Sequence, residues 1–161
     1  MNISSISYCH NVVLVTLRNV PFESRIIGEI FTTISDHAIN VDMISQTAPL
    51  GQTISVAFTV SSEAIGDLMP VINSFKPKYP NLNMELSAGM TKINFYDENM
   101  VNTPGIAAHI FTTLSAANVS VTMITTSTVD ISLLIPEHQE DTALSLCKQA
   151  YRVEPEEVLF Q

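Results

Sequence analysis

One stretch of this chain occurs twice, and the repeat limits the fold more than any other feature. Ile30-Phe31-Thr32-Thr33-Ile34-Ser35 returns as Ile110-Phe111-Thr112-Thr113-Leu114-Ser115. The register continues: Val41, Met43 and Ile44 match Val121, Met123 and Ile124, always at an offset of 80. Two copies at this spacing imply two small domains of about 75 residues, because a solenoid needs about three repeats or more. The length of 161 residues accommodates them.

The elements follow from local patterning. Ile3 to Tyr8 reads as a short strand, Cys9-His10-Asn11 as a turn and Val12 to Leu17 as a buried β-branched strand. After the loop at Val20 to Glu23, Ser24 is the expected N-cap of a helix whose apolar face is Ile26, Ile27, Ile30, Phe31 and Ile34. Val41 to Thr47 reads as a strand, with Val41 and Met43 on one face and Asp42, Ile44 and Gln46 on the other. Ile54, Val56, Phe58 and Val60 alternate with smaller or polar residues, the clearest half-buried strand here. A helix over Glu63 to Phe75 contains Pro70, which should kink or shorten it. Leu82, Met84 and Leu86 alternate in a fourth strand.

The second copy repeats this order. Ile93 and Phe95 mark a strand, and Thr103-Pro104 reads as a capping hydroxyl followed by proline at the first helical position. Val121 to Thr126 and Val129 to Ile135 are strands. Pro136 to Tyr151 is a helix with Ala143, Leu146, Cys147 and Ala150 on its inner face. Copy one is therefore βαββαβ and copy two βαββα, with Ile3–Tyr8 left over in front. Unpaired sheet edges are a liability, so the leading strand is expected to complete copy two. This predicts an α+β fold of two ferredoxin-like domains, each an antiparallel four-stranded sheet with both helices on one face. Residues 10–89 form the first, inserted domain; residues 1–9 and 90–155 form the second. The last residues, 157–161, resemble the remnant of a viral 3C-type protease tag site and are set aside from the fold.

Composition narrows the function. The net charge of −9 argues against nucleic acid, whose phosphates demand Lys and Arg. No run of about 18 apolar residues suggests a membrane span, and Met1 to Ser5 lacks the regions of a signal peptide. Two cysteines, Cys9 and Cys147, make no disulfide framework, so a reduced, cytoplasmic protein is expected. His10, His37, His109 and His138 show no metal-ligand spacing, and the five scattered glycines form no phosphate loop. No catalytic constellation, cofactor or metal site is predicted.

Several of these stretches resemble the ACT domains of aspartate kinases. Ile39-Asn40-Val41-Asp42-Met43-Ile44-Ser45-Gln46 looks like their second-strand motif, and Thr103-Pro104-Gly105-Ile106-Ala107-Ala108 their strand-to-helix turn. Met123 to Ser132 is similar to the tight hairpin of their second ACT domain, and Ser7 to Asn11 to the lead-in to the first. The resemblance spans about Ile3 to Tyr151. It implies the same insertion topology and a regulatory module that binds an end-product amino acid, commonly lysine or threonine. It also implies a homodimer built through ACT domains and a kinase domain, N-terminal in the family, that this sequence does not contain. Whether this chain catalyses anything by itself is left open.

The resemblance also indicates where an effector would sit. Backbone groups of Ile39, Asn40 and Val41, with Asp42 and the Gln46 amide, would face it; Asn118, Ser120 and Val121 are the corresponding part of the second domain, contributing across an interface. The loop from Val20 to Arg25, at a helix N-terminus, would favour the carboxylate. Phe22, Ser24 and Arg25 stand where the family has an Asp, a Pro and a Gly, which removes an ammonium partner and puts a side chain where backbone should approach a ligand. Asp42 reads first as a structural residue, holding a turn or pairing across an interface, and Gln46 equally as a ligand contact or a solvated strand residue. The competing function is a tandem ACT scaffold that dimerises and binds nothing.

Overall fold

The computed structural model describes residues 2–160. Met1 and Gln161, the outer ends of the predicted segments 1–9 and 157–161, lie outside the described residues. The elements are β1 (Ser5–Pro21), α1 (Ser24–Asp36), β2 (Ile44–Gln46), β3 (Thr53–Ser61), α2 (Ile65–Ser74), β4 (Asn83–Tyr96), α3 (Ile106–Ser115), β5 (Met123–Thr126), β6 (Asp130–Pro136), α4 (Glu140–Tyr151) and β7 (Glu156–Glu157). Short 3-10 turns cover Ser62–Ala64, Glu98–Asn102 and Glu137–Gln139. The chain divides into two compact units, Val12–Ala88 and residues 2–11 with Gly89–Phe160.

In the 12–88 unit the strand order is β2-β3-β1-β4. β1 and β3 pair antiparallel, Val15 opposite Phe58 and Leu17 opposite Val56, and Ile44 of β2 lies on the far side of Phe58. α1 and α2 cover one face. Ile26, Ile30 and Ile34 of α1 and Leu68, Val71 and Ile72 of α2 are buried with Val13, Val15, Leu17, Ile54, Val56, Phe58 and Val60. α1 is rich in β-branched residues, which cost a few tenths of a kcal/mol each in helix propensity. Burying each isoleucine is worth about 1.5–3 kcal/mol, so packing decides that this segment is helical. Its outer face is tied down by Glu29, whose carboxylate accepts from Lys78 Nζ at 2.7 and 2.8 Å and from the Tyr79 hydroxyl at 3.3 Å.

The 89–160 unit has the order β1-β4-β6-β5, using the first residues of β1. Ile3 and Ile6 are each 1% exposed and belong to the same core as Ile93, Phe95, Ile106, Ile110, Leu114, Leu133, Ile135 and Cys147. The Ser4 N–H donates to the Tyr96 carbonyl at 2.9 Å. Each unit thus has the ferredoxin-like α+β composition, the second completed by the leading segment. The burial that excludes water from Cys147 pushes its thiol up to about 12.

Asp97 is a buried polar residue that patterning did not single out. It is 1% exposed. Its carboxylate accepts from the Asn99 N–H at 2.7 Å and the Ser4 hydroxyl at 2.8 Å. Those two bonds, the Asn99 one foremost, hold the carboxyl below the usual carboxylate range. A carboxyl with a depressed folded value stabilises the fold fully above its unfolded value, about 3.9, and loses that contribution as pH falls through the folded value. Asp97→Ala should therefore lower the melting temperature at neutral pH, with the gap to wild type closing as pH drops below about 4. Thermal melts across pH check this; a pH-independent gap would exclude the charged role.

The structure corrects the predicted element boundaries, each for an identifiable reason. Ile3–Tyr8 and Val12–Leu17 are one strand, because Asn11 absorbs a left-handed φ of 56° without reversing the chain. The register shifts between Leu17 and Val20, where Asn19 has φ 58°. Likewise the strands around Leu82–Leu86 and Ile93–Phe95 are both β4, passing through Gly89 at φ 65°. Regular β2 begins only at Ile44, because Asp42 and Met43 both face Thr59: the Asp42 N–H donates to its carbonyl, the Met43 carbonyl accepts from its N–H, and the Met43 N–H donates to its hydroxyl at 2.9 Å. Ser24 is the first helical residue and Glu23 the N-cap, with no side-chain cap. The Thr103 hydroxyl donates back to the Asn99 carbonyl, and Gly105 at φ 91° leads into α3. α2 runs through Pro70 to Ser74. Ala150 is exposed, and Tyr151 takes the inward place on α4. Glu157, set aside with the tail, pairs with Tyr8 in the parallel ladder of β7 and β1, and the Val158 N–H donates to the Tyr8 carbonyl at 2.8 Å.

Candidate functional site

The turn that closes α1 is built from backbone. Ala38 adopts φ 56°, its N–H donates to the Ser35 carbonyl, and the Ile39 N–H reaches back to the Ile34 carbonyl at 3.4 Å. This is the left-handed helix ending that usually employs glycine or asparagine. Ile39 is buried and Val41 is partly buried against the core, so both side chains anchor the turn. Between them Asn40 is exposed. Asp42 is half-buried, and its N–H donates to the Thr59 carbonyl at 3.2 Å. Ile39, Asn40, Val41 and Asp42 therefore form one compact ledge, with Asn40 exposed between the two anchors.

Gln46 and the loop from Val20 to Arg25 stand elsewhere. α1 has 13 residues and is therefore about 20 Å long, with the loop at its start and the Ile39–Asp42 ledge at its end. Gln46 is exposed opposite Val56, further along the edge strand. Within this unit, one amino acid cannot touch both helix ends. At the first end a cavity of about 360 Å³ is lined by Pro21, Phe22, Glu23, Gly51 and Gln52. There the Phe22 N–H already donates to the Gln52 carbonyl at 2.8 Å, and Glu23 brings a carboxylate to the helix N-terminus. An acidic residue is electrostatically favourable at that position, and its negative charge disfavours an incoming anion there.

The second copy reproduces the ledge. Asn118 has φ 56°, its N–H donates to Ser115, and the Val119 N–H donates to the Leu114 carbonyl at 3.1 Å. Val121 packs partly against its core as Val41 does in the other copy. One difference is plain. The Ser120 N–H donates to Gln139 Oε1 at 2.8 Å, and Gln139 Nε2 donates to the Asn118 carbonyl at 3.1 Å. Patterning over residues did not find Gln139; the signal was there in the repeat, where the 3-10 turn after β3 ends in Ala64 and that after β6 ends in Gln139.

Residues 93–151 match the sequence profile of the ACT domain. The chain carries an ACT domain. Over 151 residues it is 26% identical to an aspartokinase of Bacillus sp. strain MGA3, covering 94% of this chain and 37% of that protein. The chain thus spans little more than a third of the length of such a relative. Its structure is similar to that of aspartate kinase from Synechocystis, with TM-score 0.92 and 26% identity over 99% of this chain and 28% of the other. The ligand-free regulatory subunit of aspartate kinase from Thermus thermophilus has the same fold, at TM-score 0.81 and 23% identity, with 94% and 99% covered. The resemblance to the ACT domains of aspartate kinases is thereby shown as a likeness in sequence and in fold. Among the described residues of the ACT-domain chain, no group of three His, Cys, Asp or Glu could hold a metal ion, and no helix is long and apolar enough to cross a membrane.

Proposed function

We propose that the chain is the sensing part of an aspartate kinase, binding a free end-product amino acid, lysine or threonine, and feeding back on a kinase domain. The observation that carries this reading is the Ile39–Asp42 ledge, where two anchored apolar side chains flank the exposed Asn40. A zwitterion needs such a mixture of fixed N–H donors and carbonyl acceptors, and Asp42 adds an acceptor for an ammonium. Asn118 and Val121 are the counterparts in the second copy, and Gln46 lines the edge strand beyond the ledge. Preference for one state of a cytoplasmic ACT homodimer would transmit the signal, with a coupling of about 1–3 kcal/mol, or roughly 5–150-fold in affinity.

Isothermal calorimetry with lysine, threonine, methionine and isoleucine tests the reading. Binding by one of them, weakened at least tenfold by Asp42→Ala, is the expected outcome. Neither heat nor thermal shift with any of the four at millimolar concentration would remove the sensing function. One observation favours the second reading, a scaffold that only dimerises: Phe22 and Glu23 stand at the helix end where a carboxylate would otherwise be received. That reading expects a dimer indifferent to amino acids, and an Arg25→Gly variant equally indifferent.

A further inference from the structure

The two copies differ at one structurally equivalent position in a way that bears on which of them can hold a ligand. The ledges share their geometry: positive φ at Ala38 and Asn118, the same backbone closures behind them, and the same apolar anchors. The strand bonded next to each ledge, through Thr59 or Leu134, runs on into a three-residue 3-10 turn, entered from an extended residue, Ser61 or Pro136, and leading into a helix. Its third residue is Ala64 in the first copy and Gln139 in the second. The Gln139 carboxamide spans the second ledge, its oxygen accepting from the Ser120 N–H and its nitrogen donating to the Asn118 carbonyl. The corresponding groups in the first copy are the Asn40 N–H and the Ala38 carbonyl. Among the described residues no side chain bridges these two, and Ala64, packed against the core, is too short to do so.

We infer that Gln139 is a built-in occupant of the second ledge, so that each chain offers one open ledge, in the first copy, to a free α-amino acid. The carboxamide shows what the ledge accepts: an oxygen acceptor and an N–H donor side by side. An α-amino acid supplies that pair as one carboxylate oxygen and its ammonium, separated by the carboxyl carbon and the α-carbon. The same donor and acceptor held within the protein compete at an effective concentration on the order of millimolar or more, which keeps the second ledge closed to a weakly bound metabolite. This inference rests on the sensor reading for the identity of the ligand, but the clamp itself does not.

Amide hydrogen exchange read by NMR tests the clamp without any ligand. Ser120 should exchange slowly in the wild-type chain and at least tenfold faster in Gln139→Ala, with Asn40 fast in both. A Ser120 amide as fast as Asn40 in the wild type would overturn the proposal whether or not an amino acid binds. Calorimetry with lysine and with threonine then tests the consequence. The wild-type chain should bind one molecule per chain and Gln139→Ala two; an unchanged stoichiometry overturns the proposal. Conversely, Ala64→Gln should weaken binding to the first ledge by tenfold or more, whereas Ala64→Leu, of similar bulk without the carboxamide, should retain it, both variants being checked for folding by thermal melts. Equal losses in the two would overturn the proposal. A wild-type chain that binds neither amino acid defeats the sensor reading and leaves the exchange result to decide the clamp.

Discussion

Replacing Ile3 and Ile6 together by alanine should unfold the 89–160 unit. Each side chain is 1% exposed and sits in the core made by Ile93, Phe95, Ile110, Leu133 and Ile135. An Ile→Ala change at such a site costs about 2–5 kcal/mol, the lost transfer energy plus the cavity left behind. Two of them remove about 4–10 kcal/mol, against the roughly 5–15 kcal/mol by which a domain is stable. They lie three positions apart, so their costs need not add; the single Ile6→Ala variant isolates one of them. Native-state hydrogen exchange at Ile93, Phe95 and Leu133 is the measurement. Unchanged protection there would mean that the leading segment lies on this core without supporting it.

The largest single-residue effect in the 12–88 unit is expected at Phe58. It is fully buried, lies between Val15 and Ile44 in the sheet, and meets Phe31 of α1 edge-on, with ring centroids 5.4 Å apart and planes at 69°. Phe→Ala in a core costs about 3–5 kcal/mol, and the edge-to-face pair adds about 0.5–1.5 kcal/mol beyond area burial. Ile44→Ala on the neighbouring strand is the control. Ile44 is 48% exposed, and a substitution so placed should stay within about 0.5 kcal/mol. Urea titrations compare the two; similar midpoints would mean that the sheet face turned toward α1 is not where this unit draws its stability.

The core was readable from the sequence because it is periodic. Ile26, Ile30 and Ile34 repeat at helical spacing, Ile54 to Val60 alternate, and the copy at Ile106, Ile110 and Leu114 says the same again. What failed to show were single residues acting through backbone geometry. Asn11 looked like a turn because asparagine tolerates a positive φ, but one left-handed residue can also kink a strand that continues. Thr59 looked like an outward strand residue, yet it is buried and its hydroxyl accepts from the Met43 N–H at a point where Asp42 and Met43 both face it. The ledge residues Ile39 to Asp42 were found through a motif, whereas Gln139 lies outside every motif and emerges only from laying one copy on the other. The Phe22–Arg25 loop was grouped with the ledge although the length of α1 separates them, and Gln46 because it follows Asp42 closely in sequence.

The path of the chain through its two cores sets an order for biosynthesis. Val12–Ala88 encloses its own core, so it can close while the ribosome is still adding the second copy. Ile3 and Ile6, translated before it, must wait for partners as late as Cys147 and Tyr151. At about 5–20 residues per second that delay lasts roughly 7 to 30 seconds. During it two bare isoleucines travel beside a finished neighbour, and they are the natural target for a holding chaperone on a nascent chain of this design.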